Sequence, residues 1–244
     1  MKQPVTIHEA AFNTALEKSL TELGLTLNEK VMKQLCTLYV FLMETNNKMN
    51  LTAITEPGQV AEKHMADSLR LLPFLENVQS LADIGTGAGF PGIPLAIVLP
   101  ETKIILVESM QKRIQYLQRL SEYLGLKNIT ILCARAEEIG QNPLYREKLD
   151  AATARAVAAL PVLCEYLLPL LKPGGSMLAM KGSKGQEELA MAKNAIPLLG
   201  GKNAKVLEYM LSGGESRSII HIEKLKTTPK AYPRRVGIPT TKPL

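Results

Sequence analysis

The fold of this chain is decided by the stretch Leu81-Ala-Asp-Ile-Gly-Thr-Gly-Ala-Gly-Phe-Pro-Gly92. Its apolar start passes through Asp83 into three glycines at alternate positions, which let a backbone turn tightly and approach a ligand without a Cβ in the way. A second apolar run, residues 103–107, ends in Glu108. A strand, a glycine-rich loop, a helix and a second strand ending in an acid predict a nucleoside-binding βαβ unit.

The glycines alone leave the cofactor open, because Gly87-Ala-Gly-Phe-Pro-Gly92 also satisfies the dinucleotide pattern G-x-G-x-x-G. Asp83 argues against a dinucleotide, since a carboxylate in the loop would repel a pyrophosphate. It suits an ammonium group, such as the one at the methionine end of S-adenosylmethionine. The loop also begins past residue 80, whereas dinucleotide folds often open with this unit. A glycine-rich turn that binds nothing is the remaining alternative.

Composition bounds the class of protein. The chain has 244 residues, of which 46% are hydrophobic, and a net charge of +6. This length predicts one domain with an extension, or two small domains. The positive charge favours an anionic partner and allows RNA, DNA or an anionic membrane. A generic basic surface would explain the same charge.

Other classes of site are disfavoured by spacing. The three cysteines, Cys36, Cys133 and Cys164, are far apart and form no metal-ligand pattern with the three histidines, so we expect neither a zinc site nor a disulfide framework. The first residues lack the apolar segment of a signal peptide. No run of eighteen apolar residues predicts a membrane span. We therefore expect a cytoplasmic protein without bound metal.

Three segments are expected along the chain. Residues 1–78 show helical spacing of apolar side chains and predict a helical extension, with a helix starting at Pro57. His64 in this segment is interpreted as a half-buried helix histidine rather than a ligand. Residues 79–223 alternate between strand and helix patterns, which predicts a mostly parallel sheet with helices on both faces. The predicted strands are 81–84, 103–107, 129–133, 151–153 and 176–180, with 204–211 and 218–222 as an antiparallel edge pair.

Two local features complete the pattern. Pro173-Gly-Gly175 predicts a sharp turn before the fifth strand. The tail, residues 224–244, has six basic residues and no acidic one, and its prolines favour an extended backbone. Such an arm suits a phosphate backbone. A tail that packs along the domain is the equal alternative.

Polar residues follow the predicted strands at their carboxyl ends, where ligands bind in open α/β sheets. Glu108 can accept both hydroxyls of a ribose, and Ala136 with Glu137 could read an adenine edge. Arg155 follows the fourth strand, where a second substrate would meet the cofactor, although it could simply pair with Glu137 or Glu108. Lys181 follows the fifth strand.

Longer motifs carry a closer resemblance. They include Asn50-Leu-Thr-Ala-Ile54, the glycine loop, Ala134-Arg-Ala-Glu137, Ala154-Arg-Ala156 and Tyr232-Pro-Arg-Arg-Val-Gly237. Together they resemble the glucose-inhibited division protein B family, within the class I S-adenosylmethionine-dependent methyltransferases, over nearly the whole chain. The resemblance implies an α/β, Rossmann-like, doubly wound domain. One departure is Thr45, which stands where the family usually has an aromatic residue.

The resemblance also implies a function, which is methylation of guanine N7 in the 530 loop of 16S ribosomal RNA. It implies S-adenosylmethionine as methyl donor, 16S rRNA or the small ribosomal subunit as partner, and a protein that we expect to be a monomer. Guanine N7 carries an in-plane lone pair, so no base is needed, and alignment can supply about 7–11 kcal/mol. No catalytic residue is therefore assigned.

The candidate site residues have three origins. The resemblance implies that the cofactor is contacted by Gly85, Phe90, Ala136, Glu137 and Arg155. The physical reasoning and the broader class add Asp83, Gly87 and Glu108. RNA contact is expected from Lys181, Arg234 and Arg235.

Three other functions share parts of this pattern. A small-molecule methyltransferase would have the same cofactor site but no use for the basic tail. An RNA-binding ribosome-assembly factor could keep a vestigial cofactor pocket. A nicotinamide-dependent oxidoreductase is disfavoured by Asp83. Salt-sensitive RNA binding would separate an rRNA methyltransferase from the small-molecule enzyme. Calorimetry with S-adenosylmethionine would separate it from the assembly factor.

Overall fold

The N-terminal part of the chain is helical, as its apolar spacing predicts. The computed structural model describes residues 7–244, so the first six residues of the predicted 1–78 extension lie outside the described residues. The helices are α1 (Glu9–Glu22), α2 (Glu29–Met49), α3 (Pro57–Val60), a π-helical segment (Ala61–Ala66), α4 (Asp67–Leu69) and a 3-10 turn (Leu72–Phe74). Helix α3 begins at Pro57, as predicted, and the Glu56 side chain accepts hydrogen bonds from the first free N–H groups.

A seven-stranded, mostly parallel sheet forms the centre of the described residues, which confirms the predicted fold class. Its strands are β1 (Ser80–Ile84), β2 (Lys103–Glu108), β3 (Ile129–Cys133), β4 (Leu149–Arg155), β5 (Leu171–Lys181), β6 (Gly201–Met210) and β7 (Ser216–Lys224). Their order is β3-β2-β1-β4-β5-β7-β6. Strands β1 to β5 are parallel, and β7 pairs antiparallel with β5 and β6, as predicted.

Helices connect the strands and cover both faces of the sheet. They are α5 (Gly92–Val98), α6 (Gln111–Leu124), α7 (Ala136–Gln141), α8 (Leu160–Leu167), α9 (Gly185–Met191) and α10 (Ala195–Leu198), with a short α11 (Ile238–Thr241) in the tail. The side chains of successive strand residues point to opposite faces of the sheet, so Leu81 lies in one hydrophobic core cluster and Ala82 in the other. The cluster that holds Leu81 also contains Phe12 and Leu38 of the N-terminal helices. These helices therefore pack as one layer against the sheet.

The turn predicted at Pro173-Gly-Gly175 was wrong in its position. These residues lie inside β5, where the register with β4 jumps from Leu149↔Leu171 to Ala151↔Ser176. Gly174 has φ +87°, which only glycine adopts readily. The extra residues form an irregularity within β5, and regular parallel pairing with β4 resumes at Ser176.

The tail packs along the domain rather than extending away from it. The Arg146 guanidinium donates to the carbonyl oxygens of Thr228 and Tyr232, at 2.8 and 2.7 Å. Gln141 donates to the Pro233 carbonyl at 2.7 Å. Of the two alternatives for the tail, the structure favours the packed one. The division into 1–78, 79–223 and 224–244 remains a prediction.

Candidate active site

The glycine loop after β1 takes left-handed backbone conformations that favour glycine. Gly85, Gly87 and Gly89 have φ values of +70°, +61° and +95°. A Cβ at Gly85 would lie 2.7 Å from Val157, and one at Gly89 would lie 2.6 Å from Ile93. At Gly87 the nearest atom would be 3.9 Å away. A side chain at Gly85 or Gly89 would therefore collide with a neighbouring side chain. Gly87 is favoured by its backbone conformation alone, and there is free space where its side chain would be.

Asp83 lies beneath this loop and is fully buried. Its Oδ2 accepts hydrogen bonds from the Thr86 hydroxyl at 2.6 Å and from the Gly92 N–H at 2.8 Å. Burial raises the pKa of the Asp83 carboxyl to about 6. Among residues 7–244, Oδ1 has no hydrogen-bond partner. Asp83 therefore holds the loop in shape, and its expected contact with a ligand ammonium stays a prediction for Oδ1.

Glu108, at the end of β2, ties the loop to the next strand. Its Oε1 accepts from the N–H groups of Ser109 and Met110 at 2.8 and 2.9 Å. Its Oε2 accepts from the Gly87 N–H at 3.1 Å and the Arg113 guanidinium at 3.2 Å. Glu108 is buried, and these four donors hold its carboxylate in one orientation.

A first cavity, of about 320 Å³, opens at the carboxyl ends of β1, β2 and β3. It is lined by four of the predicted cofactor residues, which are Gly85, Glu108, Ala136 and Glu137. The Glu137 carboxyl accepts hydrogen bonds through Oε1 from the Tyr166 hydroxyl at 3.3 Å and the Gly237 N–H at 3.0 Å. The structure thus brings together the residues that follow three different strands.

The tail also lines this first cavity, which the sequence reasoning missed. The lining includes Val236, Gly237 and Thr240. The only sequence signal was the Tyr232–Gly237 motif of the family resemblance, within a tail for which an RNA arm and a segment packed along the domain were equal alternatives. Because the tail folds back over α7, its backbone reaches the strand ends.

A second cavity, of about 460 Å³, lies on the other side of residues 155–158. Arg155 lines this cavity rather than the first, and it pairs with Asp67, not with Glu108 or Glu137. Its guanidinium donates to the Lys63 carbonyl at 2.9 Å and to Asp67 Oδ2 at 3.2 Å. The Tyr209 hydroxyl donates to Asp67 Oδ1 at 2.6 Å. The cavity therefore joins β4, the N-terminal helices and the edge strand β6.

His64 is more buried than the sequence interpretation expected, at 9% exposure. Its ring stacks on Phe90 with centroids 4.7 Å apart, and Nε2 lies 2.9 Å from the Thr52 hydroxyl. Burial, with the positive charge of Arg155, lowers the pKa of His64 to about 3. A neutral imidazole thus lines the second cavity at physiological pH. Phe90 lies below it, within 5.3 Å of the Arg155 guanidinium carbon.

The three residues expected to contact RNA have different surroundings. Lys181 lines the second cavity, where its ammonium bonds Glu188 at 2.6 Å. Arg234 forms an ion pair with the fully buried Glu165. Arg235 is exposed. The structure gives Arg234 a packing role, so of the two tail arginines Arg235 is the more exposed and has the side chain that is freer to meet RNA.

The residues of both cavities offer hydrogen bonds, charge and shape. Within residues 7–244, no group of three or more His, Cys, Asp or Glu side chains could hold a metal ion. The same described part of the chain contains no helix long and apolar enough to cross a membrane. The arrangement can bind a nucleoside beside a second ligand and exclude water between them.

Comparisons with known proteins agree with this geometry. Residues 31–220 match the family model described as rRNA small subunit methyltransferase G. The chain is 47% identical over 232 residues to Ribosomal RNA small subunit methyltransferase G of Lactobacillus johnsonii, covering 93% of this chain and 97% of that one. It is 44% identical over 234 residues to the protein of the same name from Leuconostoc citreum, covering 94% and 98%.

Solved structures support the fold. An O-methyltransferase from Bacillus cereus in complex with SAH is similar with a TM-score of 0.59 at 17% identity, covering 87% of this chain and 100% of that one. A putative O-methyltransferase from Klebsiella pneumoniae has a TM-score of 0.58 at 15% identity, covering 89% and 99%. At these identities the likeness shows the fold alone.

Proposed function

Because this chain belongs to the rRNA small subunit methyltransferase G family, we propose that it transfers a methyl group from S-adenosylmethionine to N7 of a guanine in the 530 loop of 16S rRNA. The observation that carries the proposal is the pair of cavities on either side of residues 155–158. One suits a nucleoside cofactor and the other a base. The segment 155–158 lines both cavities, so the methyl group would be transferred from one cavity to the other beside this segment.

The first cavity has the donors and acceptors that the nucleoside end of S-adenosylmethionine needs. Glu108 lines the cavity with an oriented carboxylate, and a ribose hydroxyl would donate to its Oε2, because Oε1 is already taken by the N–H groups of Ser109 and Met110. Arg113 shares Oε2 and is 38% exposed, so it can move aside or share that oxygen. Gly85 of the glycine loop lines this cavity on the side where the methionine end would lie, whereas the fully buried Asp83 lines neither cavity and would act by holding the loop in shape.

The second cavity supplies what a guanine acceptor needs. The Watson–Crick edge of guanine presents N–H donors, which Asp67 or Glu188 could accept, and O6 is an acceptor for a cation such as Lys181. A base in this cavity must be unstacked from its neighbours, which is consistent with a target in a loop.

Catalysis by these residues consists of alignment and exclusion of water. Bound S-adenosylmethionine would supply an electrophilic sulfonium methyl group. The N7 lone pair needs no general base, and the neutral His64 stacked on Phe90 gives the cavity a flat, rigid wall. Such positioning can lower a barrier by about 7–11 kcal/mol. We propose that the protein does this as a monomer, acting on ribosomal RNA in the cytoplasm.

The test is methyl transfer to small ribosomal subunits and to naked 16S rRNA from cells that lack this gene. We expect label from methyl-labelled S-adenosylmethionine in one guanine of the 530 loop, mapped by mass spectrometry as N7-methylguanine. RNA binding without S-adenosylmethionine binding would favour the assembly-factor alternative. Cofactor binding without any transfer to rRNA would favour the small-molecule alternative.

A further inference from the structure

Two cations that line the second cavity converge on one carboxylate. Lys63, in the π-helical segment, and Arg217, on β7, both lie in the cavity wall. The Lys63 ammonium pairs with Glu215 Oε1, and the Arg217 guanidinium pairs with Glu215 Oε2 at 2.8 Å. Glu215 sits between β6 and β7 and thus bridges the edge hairpin to the N-terminal helices.

Glu215 differs from the other acids that pair with cations of this cavity. The Asp67 side chain, which pairs with Arg155, is 6% exposed, and the Glu188 side chain, which pairs with Lys181, is 22% exposed. The Glu215 side chain is 43% exposed. An ion pair with so exposed a partner adds little to the stability of a fold, because solvent screens it. Glu215 is therefore the acid most easily exchanged for another anion.

The hairpin does not depend on Glu215 for its position. The Tyr209 hydroxyl bonds Asp67, and the Ser212 N–H donates to the Glu62 carboxylate. The Arg70 guanidinium also lies over the Tyr209 ring at 4.3 Å. The backbone carbonyl of Lys63 is held by Arg155, so its side chain can change partner while its backbone stays in place.

We propose that Lys63 and Arg217 form a binding site for an RNA phosphate next to the target base, and that Glu215 occupies this site in the free protein. The inference rests on the proposed function, because it takes the second cavity to hold the acceptor base. A phosphate offers the same paired oxygens that a guanidinium takes from a carboxylate. The Lys63 and Arg217 bonds lower the pKa of the Glu215 carboxyl, so it is ionised at neutral pH and competes as an anion.

The test uses a short single-stranded RNA oligonucleotide as probe, with fluorescence anisotropy over a salt series from 50 to 200 mM. Glu215→Gln should bind the probe several-fold more tightly than the wild type at low salt, because it frees both cations. Glu101→Gln is the matched control. It makes the same charge change at an exposed residue near the amino end of β2, whereas the second cavity lies at the carboxyl ends of β4 and β5, so this variant should bind like the wild type.

Lys63→Met with Arg217→Met should weaken probe binding and remove about 1.4 units from the slope of log affinity against log salt, which reduces the gain between 200 and 50 mM salt by about sevenfold. S-adenosylmethionine affinity, measured by calorimetry, should be unchanged in every variant. Melting curves report whether each variant folds.

The proposal is overturned if Glu215→Gln binds the probe no more tightly than Glu101→Gln, or if the double variant keeps the wild-type salt slope. Failure of the proposed function gives a different result, because the wild type would then transfer no methyl group to rRNA. The ordering of probe affinities among the folded variants would still decide whether Lys63 and Arg217 bind phosphate.

Discussion

Replacing Arg234 by alanine should destabilise the fold, because it leaves a buried carboxylate without its cation. Glu165 is fully buried, and its Oε1 accepts from the Arg234 backbone N–H at 2.7 Å. The guanidinium adds bonds of 2.9 and 3.1 Å from Nε and of 2.6 Å from its terminal nitrogen. Only the backbone bond survives the substitution.

The magnitude follows from burial. Breaking a buried ion pair by removing one partner costs about 3–5 kcal/mol. The Arg234 side chain is 25% exposed, so water can replace part of the lost interaction, and we expect about 3 kcal/mol. For a chain of this size that corresponds to a fall in Tm of about 6–12 °C. The tail stays attached, since Arg146 holds it upstream of this point.

Urea denaturation and melting curves measure the effect, with Arg235→Ala as the matched control. Arg235 is exposed, so its loss should change Tm by no more than about 2 °C. Adding Glu165→Gln to Arg234→Ala should recover part of the stability, because a neutral amide costs less to bury than a carboxylate. An unchanged Tm in Arg234→Ala, with a flatter salt dependence of RNA binding, would refute this reasoning and favour an RNA contact. If the tail binds RNA through Arg235 instead, Arg235→Ala flattens the salt slope by about 0.7 units without lowering Tm.

Further predictions concern the two cavities. Gly87→Val should weaken S-adenosylmethionine binding by at least tenfold in calorimetry and lower stability by about 1–3 kcal/mol, because valine is strained at φ +61°; wild-type affinity would contradict the assignment of the loop. Glu108→Ala should weaken the same binding by about 1–3 kcal/mol, while the exposed Glu122→Ala on α6 should leave it unchanged, and equal affinities in the two variants would mean that the ribose binds elsewhere. His64 has a folded-state pKa of about 3, below the usual 6.5 of the unfolded chain, so its contribution to stability is complete above pH 6.5 and is lost as pH falls towards 3. His64→Gln should therefore flatten the dependence of the unfolding free energy on pH between 6.5 and 4, and an unaltered slope would show that other groups cause it.

Local patterns predicted most of the nucleoside-binding unit. The strand that enters the glycine loop, the loop itself, helix α5 and the second strand follow from apolar runs and from glycines, which act over a few residues. Glu108 was expected at a strand end and lies at one, and it can be buried there because four nearby donors bind its carboxylate. The antiparallel edge pair β6 and β7 was also predicted, because its two apolar stretches are adjacent in the chain.

Contacts between distant segments decided the rest. Tyr209 and Asp67 are 142 residues apart, and Arg155 reaches the Lys63 carbonyl across 92 residues. No periodicity links such positions, so the second cavity and the partners of Arg155 became visible only once the sheet had brought β4, β6 and the N-terminal helices together. The tail shows the same limit. Its charge and prolines were compatible with an RNA arm or with a tail packed along the domain. The buried Glu165 on α8 favours the packed tail, because a carboxylate shielded from solvent needs a cation within the fold, and Arg234 supplies it.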